Sequence, residues 1–192
     1  MVMPAFEPWT IDRVRDLPED GNRYEVVDGT LLVTPAPSWA HQYAAFELAR
    51  ILADYCDRTQ IGVVLVAPAE VVLGRSLVEP DVFVVPLVDG VAPRDTEHAE
   101  RLLLVVEVRS PATARADRQI KRPLYQEHEI PEYWMVDPDA RDVERWRPGD
   151  QRGELLAGTL EWRPAGAVAP LVIDLPRFFA RVLDRRVPLT GR

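Results

Sequence analysis

Asp81 opens one strongly apolar run, Glu107 nearly closes another, and Lys121 follows Glu107 by fourteen residues. Charged residues almost never occupy such runs unless they are paired or bind a metal. Two carboxylates projecting from neighbouring strands at one end of a sheet offer hard oxygens to a divalent ion. Magnesium is the first choice and manganese the alternative, and the backbone carbonyl of Val108 can add a further oxygen. An ion held there polarises a phosphoryl oxygen and lowers the pKa of a bound water. Lys121 then orients that water or stabilises charge on the phosphorus.

Lys121 is distinctive because it is the one lysine among 23 Lys and Arg residues. An ammonium is a compact point charge with a movable pKa, whereas a guanidinium stays charged. Asp117 and Tyr125 lie at i−4 and i+4 from it, where they can set its rotamer. Each residue also has a plainer reading. Asp81 follows Pro80 as a turn residue does, and Glu107 can pair with Arg109 or Arg122. Lys121 can be the surface partner of Asp117. Glu70 is a third-ligand candidate near Asp81, with an exposed strand position as the stronger reading.

These residues need elements to position them. Thr10 to Leu17 reads as a short helix, and Arg23–Val27 with Thr30–Thr34 as a hairpin turned by Asp28-Gly29. Ser38 caps a helix running to about Tyr55, with Trp39, Tyr43, Phe46, Leu48, Ile51 and Leu52 as its apolar side. Gly62 to Ala67, Ala69 to Leu73, Asp81 to Val85 and Leu102 to Val108 read as buried strands. Asp89 to Glu100 is a polar loop or short helix. Ala112 to His128 is helical but must kink or restart at Pro123. Glu132 to Val136 and Val143 to Trp146 are strands joined at Asp137-Pro138-Asp139. Residues 148–170 read as irregular with short edge strands, and Leu175 to Leu183 as a terminal helix.

The 192 residues suffice for one well-cored domain, and no linker or repeat divides them. Core positions span about 23–137, followed by strands and a helix over 138–192. A single cysteine, Cys56, excludes an internal disulfide and suits a buried position in a reducing cytoplasm. No apolar stretch is long enough to span a membrane, and Met1 to Trp9 lacks a signal-peptide pattern. The net charge of −8 argues against broad nucleic-acid affinity. Residues 109–122 nonetheless hold Arg109, Arg115, Arg118, Lys121 and Arg122 against Asp117 alone, as a phosphate-binding edge or a solvated helix face. His41 reads as a helix-end residue, and His98 and His128 lack zinc-ligand spacing. Trp134 and Trp146 suit packing. There is no phosphate-cradling glycine loop and no Gly-x-Ser-x-Gly elbow.

The order Pro80-Asp81, Glu107-Val108-Arg109-Ser110-Pro111, Asp117, Lys121, Tyr125 and Ile130-Pro131-Glu132-Tyr133-Trp134 resembles the Uma2 (DUF820) family. Tyr24-Glu25-Val26-Val27-Asp28-Gly29 and Pro37-Ser38 with His41 extend the resemblance, which covers about residues 23–137. That family is assigned to the PD-(D/E)xK nuclease superfamily. The resemblance implies an α/β fold of restriction-endonuclease type: a mixed central β-sheet flanked by helices, with an amino-terminal β-hairpin. It also implies a magnesium-dependent endonuclease site acting on DNA, with Asp81 and Glu107 as the motif acids and Lys121 as a migrated motif lysine. Arg109 stands where that lysine is expected, and Glu25 is placed to approach the site. A homodimer is expected by analogy, since two cuts across a duplex need two sites. The competing class is a nuclease-shaped module without catalysis, serving nucleic-acid or protein association. The acidic net charge and Arg109 favour that alternative.

Overall fold

A computed structural model of the chain describes residues 7–94 and 101–184. His98, part of the expected 89–100 loop and most of the amino-terminal segment read for a signal peptide lie outside the described residues.

The chain begins with α1 (Ile11–Arg15), whose Arg13 N–H is capped by the Thr10 hydroxyl. A tight turn then joins β1 (Arg23–Val27) to β2 (Thr30–Thr34). Asp28 and Gly29 both take positive φ there, which glycine adopts at no steric cost. The long helix α2 (Trp39–Thr59) starts at Ser38, whose hydroxyl accepts the His41 N–H. It leads into β3 (Gly62–Val66) and the short pair β4 (Val71–Leu73) and β5 (Ser76–Val78). β5 is not anticipated by the sequence, because Gly74-Arg75-Ser76 reads only as a turn.

Next come β6 (Val82–Pro86) and β7 (Leu104–Val108). A broken helix follows: α3 (Ala114–Ala116), a π-helical turn (Asp117–Lys121) and α4 (Arg122–Glu127). The remaining elements are β8 (Tyr133–Asp137), β9 (Asp142–Trp146), β10 (Glu154–Leu156), β11 (Thr159–Trp162), β12 (Leu171–Asp174) and α5 (Leu175–Leu183).

The central sheet runs β10-β9-β8-β7-β6-β3. Only β7 and β8 pair in parallel, so the sheet is mixed. A second sheet, β2-β1-β5-β4, is antiparallel throughout. The β11–β12 pair stands apart from both. Its second strand falls between the segment expected to be irregular and the terminal helix, and four residues are too few to show a period.

Strand alternation divides the interior into two layers. Val82, Val84, Leu104 and Val106 face α2 and α5, joining Leu48, Leu52, Trp134 and Phe179. Phe83, Val85, Val105 and Met135 face the other way, against Val27, Val78, Leu124 and Tyr125. Successive side chains on a strand point to opposite faces, so Asp81 and Glu107 share the second face. The small sheet and the broken helix cover that face.

Two expectations about burial fail. Trp39, Tyr43 and Phe46 are 86%, 42% and 63% exposed, so they are not the inner side of α2. The buried face instead follows His41, Ala44, Ala45, Leu48, Leu52, Tyr55 and Cys56, a stripe with i, i+3/i+4 spacing. Small alanines let the helix approach the sheet, and the aromatics are displaced outward. In β3, Leu65 and Val66 are also exposed, because that strand lies at the sheet edge.

Candidate active site

The site grows from the β6–β7 ladder. Val82 pairs with Val106, which sets Asp81 beside Glu107 at the same end of the sheet. The Val108 N–H donates to Asp81 Oδ2 at 2.8 Å, tying the two strand ends together. In an extended strand a residue's N–H and C=O point to the same edge, so the Val108 carbonyl lies on the Asp81 side.

Asp81 is gripped from three directions. Arg23 Nη1 donates to Oδ1 at 2.9 Å, and His41 Nε2 lies 3.0 Å from Oδ2, the oxygen that also accepts from Val108. Burial alone would raise this carboxyl. The His41 hydrogen bond, the Arg23 charge and the backbone donor outweigh burial and hold it at about 2.

Glu107 has a different environment. Its Oε1 accepts from Lys121 Nζ at 2.9 Å and from the Tyr125 hydroxyl at 3.0 Å. Lys121 Nζ also lies 2.7 Å from Glu25 Oε1 and 4.0 Å from Asp117 Oδ1. Glu25 Oε1 in turn accepts the Glu79 N–H. Glu107 and Lys121 are each only 1% exposed. Burial raises the Glu107 carboxyl to about 8, with Asp81, Asp117 and Glu25 adding to the rise and Lys121 opposing it. Burial likewise lifts Asp117 to about 6 against the pull of Lys121. For Lys121 burial acts downward, but Glu107, Glu25 and Asp117 together raise it and keep the ammonium charged.

The π-helical turn explains how one short segment supplies both Asp117 and Lys121. The Arg122 N–H bonds the Asp117 carbonyl, five residues back, and both side chains turn inward. Such single π turns occur frequently at functional sites. Pro123 follows the π turn within a continuous helix and offers no N–H there, and the Arg118 carbonyl accepts from Arg122 Nε at 3.0 Å. The Tyr125 hydroxyl reaches Glu107 rather than Lys121.

The structure thus brings Glu107, Lys121, Glu25, Asp117 and Tyr125 into one buried cluster, with Asp81 adjoining through the strand ladder. Arg109 stands outside it, paired with Asp137 at 2.7 Å. Glu70 is also elsewhere, held by Arg15 at 2.6 Å. The basic segment is largely spent on internal partners: Arg118 pairs with Glu144, Arg115 bonds Gln119, and Arg122 lies 4.5 Å over the Trp146 ring.

Two members of the cluster are not apparent from the sequence. His41 is no mere helix-end residue, and Arg23 does not stand out at all. Helical periodicity could have found the first, since His41 heads the buried stripe of Ala44, Leu48 and Leu52. Strand alternation could have found the second, because Arg23 shares a face with Glu25 and Val27.

The donor chemistry fits a hard divalent ion, since carboxylate and carbonyl oxygens dominate. Glu25 Oε2 and both Asp117 oxygens are buried without a hydrogen-bond partner. Yet no three His, Cys, Asp or Glu side chains among the described residues are arranged to hold a metal as they stand. Asp81, Glu107 and Glu25 are each drawn instead to a cationic side chain.

Comparison with known proteins agrees with this architecture. A crystal structure from Anabaena variabilis ATCC 29413, described as "a putative nuclease belonging to DUF820", superposes with a TM-score of 0.73. It is 19% identical and the match covers 92% of this chain and 100% of that one, a likeness of fold. No curated protein matches. No helix among the described residues is long and apolar enough to cross a membrane. The family model "Uma2: Putative restriction endonuclease" matches residues 11–175, which take in the hairpin, α2, both acid-bearing strands and the broken helix. With most of its length matched, this chain belongs to the Uma2 family.

Proposed function

We propose that the protein is a magnesium-dependent endonuclease that hydrolyses phosphodiester bonds in DNA, with manganese as a substitute ion. The observation that carries this reading is the meeting of Lys121 Nζ and Glu107 Oε1 at 2.9 Å, beside Asp81 on the adjoining strand. Asp81, Glu107 and the Val108 carbonyl would hold the ion. Its chemistry is Lewis-acid polarisation of the phosphodiester and acidification of water.

The chain's own groups do the rest. Two of the three ammonium N–H groups of Lys121 are directed at Glu107 and Glu25. Asp117 Oδ1 lies 4.0 Å from the ammonium, beyond hydrogen-bonding range, and in this reading the third N–H serves the attacking water or a phosphoryl oxygen. Tyr125 donates to Glu107 and restricts its rotation. Glu25 and Asp117 keep Lys121 charged, so in this reading it acts as an electrostatic group and not as a base. A twofold dimer would supply the second site for cutting both strands. The lone, buried Cys56 suits a reducing cytoplasm.

The test is cleavage of plasmid DNA with and without magnesium, and of RNA in parallel. Asp81→Ala, Glu107→Ala and Lys121→Ala should each lower the rate by at least about 100-fold, as loss of an electrostatic contact at a reacting centre does. Lys121→Arg keeps the charge but should still fail, because a planar fork does not match a point charge. Undiminished cleavage in these variants would overturn the assignment.

A second reading rests on the closed ionic arrangement and the near-complete burial of Glu107 and Lys121. It holds that the fold is retained as a catalytically silent module for nucleic-acid or protein binding. Calorimetry separates the two, since a silent module takes up neither magnesium nor manganese, whereas the nuclease reading requires uptake that Asp81→Asn abolishes.

A further inference from the structure

Arg23 sits at the mouth of the acidic cluster. Its hydrogen-bond and ion-pair partners there are oxygens. Its Nη1 donates to Asp81 Oδ1 and to the Glu79 carbonyl, both at 2.9 Å. Its Nε lies 3.7 Å from Glu25 Oε2, beyond hydrogen-bonding range. That nitrogen and that oxygen are both buried without a hydrogen-bond partner. One end of the guanidinium is therefore anchored and the other is loosely matched.

Two carboxylates and one backbone carbonyl form the ligand set that a hard divalent cation prefers. An arginine fills such a set imperfectly, since its planar donors must share oxygens placed in three directions. Its side chain retains 16% exposure, against 0% for Glu25 and 5% for Asp81. It is thus more open to solvent than either carboxylate it faces.

We infer that the Arg23 guanidinium is the resident counter-cation of the site, held by Asp81, Glu25 and the Glu79 carbonyl, and that a divalent ion taken up through Asp81 binds by displacing it from that carboxylate. This inference rests on the proposed metal dependence and deepens it. Arg23 is a positioning residue: it keeps Asp81 ionised and the hairpin docked until the ion arrives. It also sets the affinity for that ion, because binding must first break the Arg23–Asp81 pair. Arg109, one residue beyond Val108 but paired outward with Asp137, has a similar charge and none of these contacts.

The experiment is calorimetric titration of manganese into the wild-type protein, Arg23→Gln, Arg109→Gln and Asp81→Asn. Arg23→Gln should bind manganese at least tenfold more tightly than wild type, while Arg109→Gln should change by less than threefold. Equal or weaker binding by Arg23→Gln overturns the inference and leaves the metal-dependent reading standing. Equal tightening by Arg109→Gln also overturns it, since only long-range charge would then be at work. No binding by wild type or by Arg23→Gln removes the metal-dependent reading and the inference together.

A second measurement needs no altered fold. The Arg23 Nε–H resonance of wild-type protein, identified by its loss in Arg23→Lys, should shift as magnesium is added and saturate with binding. A resonance unmoved while magnesium binds overturns the displacement.

Discussion

Asp81 and Glu107 stand side by side on adjoining strands, on the same face of one sheet, yet their electrostatics are opposite. Asp81 accepts from a backbone N–H, an arginine and a histidine, and its carboxyl is held low. Glu107 has one ammonium and one phenol on the same oxygen, with three other acids close by, and its carboxyl is pushed up. The difference lies in donors and neighbours. Both groups are deeply buried, so burial alone cannot separate them. Within one cluster, donors hold one acid low while burial and neighbouring acids push the other up.

Removing the shared cation should break this contrast most severely. Lys121→Met leaves Glu25, Glu107 and Asp117 buried without their ammonium. A loss of about 3–5 kcal/mol is expected in urea unfolding, the usual scale for breaking a buried ion pair from one side. A change below about 1 kcal/mol would mean that the three acids are not held by Lys121.

The next effect is in pH. A carboxyl raised from 4.5 to about 8 on folding contributes stability that is full below 4.5 and lost as pH rises through 8. Asp117, raised from 3.8 to about 6, has the same sign. Glu107→Gln should therefore flatten, though not abolish, the decline in stability between pH 5 and 8. The removed portion is on the order of 3 kcal/mol, since each tenfold change in proton affinity corresponds to about 1.4 kcal/mol. Parallel stability curves for Glu107→Gln and wild type would contradict the raised Glu107.

Asp81 should mirror this on the acid side. Its carboxyl is lowered from 3.8 to about 2, so its contribution is present above 3.8 and lost as pH falls through 2. Asp81→Asn should be less stable than wild type at pH 6 by about 2 kcal/mol, with the gap closing below pH 3. A gap that persists at pH 2 would locate the loss in packing instead of charge.

The smallest effect sharpens the comparison at one oxygen. Tyr125→Phe removes one donor to Glu107 Oε1 and leaves Lys121 in place. A loss of about 1 kcal/mol is expected from thermal or urea unfolding, as for one hydrogen bond to a buried acceptor. Values near those of Lys121→Met would show that the phenol, not the ammonium, anchors Glu107.

Much of the fold was legible because its signals are local. The Asp28-Gly29 turn, the Ser38 cap and the valine-rich runs of β6 and β7 each declare their element within a few residues. The outer face of α2 misleads for the same reason: three aromatics outrank the two buried alanines, Ala44 and Ala45, on any local scale of hydrophobicity. Which stripe goes inward depends on how closely the helix must approach the sheet, and that is a property of the partner surface. In the site, Glu107 and Lys121 stand out by type and context, whereas Arg23 and His41 look ordinary in theirs.

The sequence by itself determined the two acid-bearing strands, their shared face through the two-residue period, and the single ammonium within reach of them. Tertiary structure alone decided which cation serves which acid. Arg23 meets Asp81 across 58 positions, and Lys121 on the π-helical turn meets Glu25 on the smaller sheet. The strength of an ion pair is set by separation and by the local dielectric, and neither is defined until distant segments are brought together in three dimensions.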